Sequence, residues 1–218
     1  MNEKYQSLRM SLMTKPSKEY NELLEEYKNL HKDLTLFPGK SVLKYVHYIR
    51  SILKDNKCKT LLDYGSGKGY LYEADHAYTK KNLTKPLNKF WNLNEVTCYD
   101  PGVEKFSKLP EGMFNGVIAV DVMEHIPTED AEWVLDQIMS YSNKVVFLNI
   151  ACYQALKTFK NGKNVHVSVH PPDWWMDLLN KVWYDKHNKR TTVYITFEEV
   201  EERFVSSGIF KTYTLYKH

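Results

Sequence analysis

The chain of 218 residues carries 30 Lys and Arg against 27 Asp and Glu, a formal net charge of +3, and 43% of it is hydrophobic. That length suits one α/β domain with additions and a sizeable core, and with the charges spread and no block of like sign, composition alone calls for no nucleic-acid partner. Three cysteines, Cys58, Cys98 and Cys152, are odd in number, and the first two lie in or beside apolar strand patterns; with no apolar stretch near a membrane-spanning length and no basic-then-apolar leader, the expectation is a soluble, cytoplasmic chain with reduced thiols.

Residues 1–16 show no sustained period, although Tyr5, Leu8 and Leu12 share one helical stripe and Pro16 closes the segment. From Ser17, a fair N-cap, Tyr20, Leu23, Leu24, Tyr27 and Leu30 recur at three and four, which predicts a helix with one buried face. A turn at Phe37-Pro38-Gly39 follows. Ser41 is expected to cap a second helix, in which Val42 to Leu53 keep the same spacing up to Asp55-Asn56. Residues 1–56 thus form an N-terminal helical segment packing on a core that begins at residue 57.

Thr60 to Asp63 is short and apolar enough for the centre of a parallel sheet. Between Gly69 and the next strand, Val96 to Asp100, the chain is longer than a helix crossover needs, and Lys80 to Pro86 reads as an inserted loop. By contrast, only about twenty residues separate Asp100 from Asp121, too few for a helix, a strand and a second helix. Gly116 to Val120 is the next strand, and Thr128 is expected to cap a helix whose apolar face is Val134, Leu135 and Ile138. Lys144 to Ile150 returns to the sheet. Beyond Ala151 come His166, His170, Pro171 and Pro172, then Trp174, Trp175, Leu178, Leu179, Val182 and Trp183 at helical spacing. Thr191 to Phe197 and Ile209 to Tyr216 alternate as strands around a helix expected at Glu198 to Phe204.

The passage with most chemical content is Leu61-Leu62-Asp63-Tyr64-Gly65-Ser66-Gly67-Lys68-Gly69, an apolar strand that ends in a carboxylate and runs into three alternate glycines. Glycines there permit positive φ and let main-chain N–H groups face a ligand. A dinucleotide fingerprint needs a glycine where Tyr70 stands, and the lysine-serine pair of a polyphosphate loop is missing. A zwitterionic nucleoside fits better.

This passage resembles motif I of the class I methyltransferases that use S-adenosylmethionine. The resemblance continues at Tyr99-Asp100-Pro101, at Val120-Asp121-Val122-Met123-Glu124-His125-Ile126-Pro127 and at Lys144 to Ile150, covering roughly residues 58–151. It implies an α/β, Rossmann-like, doubly wound and mostly parallel sheet with an antiparallel last strand, N-terminal helices, a cofactor-binding domain over 57–218, and an acceptor-site insertion at 152–190. The strand that commonly carries an adenine-binding acid is shortened or missing here.

The resemblance also implies a set of site residues. Asp100 is spaced to accept from both ribose hydroxyls. Asp63 orders the glycine loop and meets the ammonium of the methionine moiety, or only pins the loop. Tyr64, Gly65, Ser66 and Gly67 form the loop, Tyr99 precedes the ribose acid, and Asp121 with Val122 borders the methyl donor. Candidate catalytic groups are His125, His166 and His170. His125 stands as base or pocket residue; His166 and His170, on one side of an extended segment, stand as base or acceptor contact. A zinc site lacks a third ligand at familiar spacing, so no metal is expected. Trp174 and Trp175 close over a ligand or pack in the core.

The expected activity is methyl transfer from S-adenosylmethionine, leaving S-adenosylhomocysteine, to oxygen or nitrogen of a small polar acceptor. DNA is an unlikely substrate because the Asn/Asp-Pro-Pro-aromatic tetrad is missing after the strand ending at Asp121. RNA or protein acceptors, or a relative that binds or cleaves the cofactor without methyl transfer, are the alternatives.

Overall fold

In the computed structural model, the structure describes residues 16–73, 85–187 and 190–199, together with the backbone of 209–215. A single sheet runs in the order β2-β1-β3-β4-β5-β6, with strands β1 (Thr60–Tyr64), β2 (Glu95–Tyr99), β3 (Phe114–Val120), β4 (Ser142–Ala151), β5 (Thr192–Glu199) and β6 (Ile209–Leu215). The first five strands pair in parallel. Along the last edge, β6 runs antiparallel to β5. This α/β architecture is consistent with a Rossmann-like fold.

The helices are α1 (Lys18–His31), α2 (Val46–Asp55), α3 (Leu87–Phe90), α4 (Ala131–Ser140) and α5 (Pro172–Lys181). Strand residues alternate between two covered faces. On one face, Leu61, Ile118, Val120 and Phe147 pack against Val46, Ile49 and Leu53 of α2. On the other, Leu62, Ala119, Val146 and Ile195 meet Leu135 and Ile138 of α4 and Trp175 and Leu179 of α5. At roughly 1.5–3 kcal/mol for each fully buried large aliphatic or aromatic side chain, these two layers are the principal source of the sheet's stability.

Several expectations are corrected. The second helix breaks at Tyr45 into a 3₁₀ turn, Ser41–Lys44, followed by α2. The short span from Asp100 to Asp121, by contrast, behaves as expected: no strand forms between Asp100 and Phe114, where one 3₁₀ turn (Glu104–Phe106) stands. Thr128 does not cap a helix: its Oγ1 meets Ser168 Oγ at 3.0 Å and His170 Nε2 at 2.8 Å, while residues 128–130 form a 3₁₀ turn ahead of α4. Glu198 belongs to β5, not to a helix. Tyr5, Leu8 and Leu12, most of the loop expected over 80–86, and residues 200–204 of the expected last helix lie outside the described residues. No helix of the described residues is long and apolar enough to cross a membrane.

Candidate ligand site at the carboxyl edge of the sheet

Parallel register brings three strand ends to one edge, since Asp63 pairs with Cys98, Tyr64 with Tyr99, and Asp63 with Ile118. From β1 the chain goes out to β2 and returns on the other side of β1 to form β3. The crevice where that direction reverses is where open α/β sheets bind ligands. A cavity of about 480 Å³ lies there. Its floor includes Asp63, Gly65, Gly67, Asp100, Asp121 and Val122. Tyr20, Leu23, Leu24, Tyr27 and His31 of α1 form one wall, with the turn from Phe37 to Ser41 beside them. Tyr153, Leu156, Lys157, Val165 and His166 adjoin that wall, together with His125, since Tyr27 OH lies 2.6 Å from the Val165 carbonyl.

No sequence signal places α1 at the site. Its buried stripe is visible from spacing alone, but not the surface it covers. The helix is tied down by Ser17, whose N–H and Oγ donate to Asp130 at 2.9 and 2.6 Å while Oγ also caps Tyr20 N–H at 3.0 Å. Tyr20 meets Trp133 edge-on at 5.3 Å.

Glycine-loop chemistry differs from the expectation. Gly65 and Ser66 donate their N–H groups to the Tyr99 carbonyl at 2.7 and 3.1 Å, Gly67 N–H donates to Asp100 Oδ2 at 2.9 Å, and Gly69 N–H donates to Ser66 O at 3.3 Å. These amides are engaged within the protein itself. Close approach is nevertheless the reason for glycine. Gly65 has φ +82°, and a Cβ on it would sit 2.3 Å from Val122 Cγ2; Gly67 has φ +57°, and its Cβ would meet Phe37 O at 2.5 Å and Gly39 N at 2.9 Å. The loop is thus pressed under the Phe37–Gly39 turn, and Lys68 Nζ bonds to Leu36 O just ahead of that turn.

Tyr64 and Tyr99 stand away from the cavity lining, in the core, with Tyr64 donating to Gln137 Oε1 at 2.5 Å. Tyr99 contributes its carbonyl alone. Among the described residues Asp63 accepts on Oδ2 from Tyr72 OH at 2.8 Å, and the carboxylate bonded to a loop amide is Asp100, whose Oδ1 also accepts from Gly102 N–H at 2.9 Å. One lone pair on each Asp100 oxygen is left for further donors. Burial lifts the Asp63 pKa to about 7, with the Tyr72 hydrogen bond opposing and the Asp100 charge adding to the rise. Burial also raises Asp100 and Asp121, against the pull of His31 and of Ser41 respectively. Asp121 has φ +54° and Phe37 φ +47°, so two residues of the cavity lining hold left-handed backbone that ordinary residues avoid. A floor of three carboxylates that resist ionisation favours a cationic ligand.

The three candidate histidines part company. His170 leaves the cavity, bonded to Thr128 and stacked on Trp174 with ring centroids 3.9 Å apart. Trp174 and Trp175 do not line the cavity, and Trp175 is fully buried. Within the segment 152–190, residues 153–166 therefore reach the site while α5 serves the core. His125 and His166 do line the cavity, their rings 4.8 Å apart and nearly perpendicular. His125 Nδ1 lies 2.9 Å from the Val165 carbonyl and 2.7 Å from Tyr27 OH, which itself donates to Val165 O at 2.6 Å. A carbonyl only accepts, so the proton sits on Nδ1 and Nε2 carries the lone pair. By the same reasoning His166, with Nδ1 2.7 Å from Tyr153 O, keeps Nε2 free to accept. Burial and the neighbouring His166 push the His125 pKa down to about 3, and burial lowers His166, so both rings are neutral imidazoles.

Glu124, which with His125 stands in the segment that carries the family resemblance, is not among the residues that line the cavity but lies directly before His125, which is. Fully buried, it accepts Ala151 N–H on Oε1 at 3.1 Å, while Oε2 has no hydrogen-bond partner. Comparison with protein-family models, curated proteins and solved structures finds no match for this chain.

Proposed function

We propose that this chain is a cytoplasmic S-adenosylmethionine-dependent methyltransferase acting on oxygen or nitrogen of a small polar acceptor. The observation that carries the reading is the convergence of Asp63, Asp100 and Asp121, from the ends of β1, β2 and β3, on one cavity at the strand-order reversal. S-adenosylmethionine supplies a methyl group on a positively charged sulfonium and carries an ammonium and a ribose diol. The residues present suit such a group. Asp100 keeps an open lone pair on each oxygen for the diol, and Asp63 offers a carboxylate that a neighbouring ammonium would drive to ionise. Val122, held against Gly65, gives an apolar border to the reacting carbon. The enclosed wall of α1 excludes water and holds the nucleophile in line, which is most of what a methyl displacement requires.

Calorimetric titration with S-adenosylhomocysteine tests this. One site per chain is expected, weakened at least tenfold in Asp100→Ala, in keeping with the roughly 1.5–3 kcal/mol of a hydrogen bond to a charged group. Circular dichroism must show the variant folded. Absence of binding to the unaltered chain would end the proposal.

A further inference from the structure

Glu124, His125 and His166 each bring one potential ligand atom to within 4.8 Å of the others. Glu124 and His125 come from the 3₁₀ turn after β3, and His166 from an extended segment about forty residues further on. Two observations at this junction point the same way. Both imidazoles are held through Nδ1–H onto backbone carbonyls, of Val165 and Tyr153, leaving the Nε2 lone pairs uncommitted. Metal-bound histidines are held in this manner, with the far nitrogen donating to a carbonyl or carboxylate that fixes ring and tautomer. Glu124 Oε2 is completely buried and has no partner. Such an oxygen beside two neutral rings is costly unless a cation or proton satisfies it.

We propose that Glu124, His125 and His166 form a binding site for one divalent first-row transition ion at the acceptor side of the cavity. Two imidazoles and one carboxylate are a borderline donor set, which selects manganese, iron, cobalt or zinc over magnesium or calcium. Bonds of about 2.1 Å at tetrahedral angles put donors about 3.4 Å apart, so from 4.8 Å they must close by up to about 1.4 Å, a movement that the extended segment carrying His166 can supply. Open positions on the ion would face the cavity, where His125 and His166 form part of the lining. The ion site stands without the methyl-transfer reading; joined to it, the ion would act as a Lewis acid on an acceptor oxygen.

The test uses the full chain, stripped with a chelator and titrated with cobalt(II), whose visible absorption reports nitrogen and oxygen ligation, followed by displacement with zinc. One equivalent per chain is expected, with a rise in melting temperature. His166→Ala and Glu124→Gln should each weaken binding at least tenfold and remove the melting shift, whereas His170→Ala, outside the cavity, should leave both unchanged. If Glu124→Gln does not fold, His166→Ala decides alone. Lack of stoichiometric binding by the unaltered chain, or equal affinity in folded His166→Ala, refutes the site. S-adenosylhomocysteine calorimetry, run separately, reports on the methyltransferase reading, so the two can fail independently.

Discussion

Asp63 gives the sharpest prediction, because its burial opposes its charge and, among the described residues, one hydrogen bond, from Tyr72, supports it. Its folded pKa of about 7 lies above the ordinary value of 3.8, so the folded state binds the extra proton. The linkage then has a definite sign. The Asp63 contribution is fully favourable below the unfolded pKa and is lost as pH rises through about 7. Every tenfold difference in proton affinity between the folded and unfolded chain is worth about 1.4 kcal/mol, so ionisation costs the fold on the order of 4 kcal/mol well above neutrality and about 1.7 kcal/mol near pH 5. Asp63→Asn removes the titration while keeping size and an acceptor for Tyr72. Urea unfolding of both proteins at pH 5 and pH 8 should show the stability difference, Asn variant minus parent, growing by about 2–3 kcal/mol across that interval. Taking the difference cancels the other titrating groups. A gap that stays flat or narrows with pH would mean that the Asp63 carboxyl is not desolvated as argued. A cationic ligand should reverse the trend, since an ammonium beside Asp63 favours the ionised form; S-adenosylhomocysteine should therefore bind more tightly as pH rises from 5 to 7, and the dependence should vanish in Asp63→Asn.

Gly67→Ala places a Cβ in left-handed backbone and against Phe37 O, so a stability loss of at least 1–2 kcal/mol, read from urea midpoints, should accompany weakened S-adenosylhomocysteine binding. Tyr27→Phe deletes one hydroxyl but leaves His125 Nδ1–H on the Val165 carbonyl, and the expected cost is about 1 kcal/mol in the same assay. Glu198 is buried and accepts from Tyr45 OH at 2.7 Å, Tyr153 OH at 3.1 Å and Lys44 Nζ at 2.9 Å. Glu198→Ala takes the acceptor from Tyr153 OH, from Tyr45 OH, which still accepts from Asn149 Nδ2 at 2.8 Å, and from the half-exposed Lys44, and should cost about 1–3 kcal/mol, with an unchanged melting temperature as the refuting result. His166→Ala should lower turnover of a methyl acceptor, whereas His170→Ala should leave kcat and KM near those of the parent; equal damage from both would contradict their separation in the fold.

The ends of β1, β2 and β3 were legible because each is marked by a carboxylate behind apolar residues: Leu61-Leu62 before Asp63, Tyr99 before Asp100, Val120 before Asp121. Burial on both faces leaves such runs little alternative. The short span from Asp100 to Asp121 likewise announced a missing strand by length alone. What the sequence withheld was which surfaces meet. The stripe from Tyr20 to Leu30 reads the same whether its helix covers a sheet or roofs a cavity. Glycines at 65 and 67 announce close approach, but the approaching atoms belong to Val122, Phe37 and Gly39 of this chain, and no local pattern identifies them. His166 and His170 are equivalent on paper; only packing of Trp174 and Trp175 into α5 carries one to Thr128 and leaves the other beside His125.

The Tyr27–His125–Val165 junction joins the roof to the chemistry. Tyr27 belongs to α1, His125 to the turn after β3, and Val165 to the variable segment, so two hydrogen bonds to one carbonyl, of 2.6 and 2.9 Å, hold all three pieces. The bond that fixes His125 therefore also fixes α1 over Asp100, where His31 Nε2 lies 3.8 Å from Oδ1. Displacing α1 to admit a ligand has to break the Tyr27 contact and the approach of His31 together. His125 and the acid at the end of β2 are thus mechanically linked through one helix. Occupation of the Asp100 side should then change the environment of His125, a coupling measurable as a shift of its imidazole resonances when S-adenosylhomocysteine is added and weakened in Tyr27→Phe.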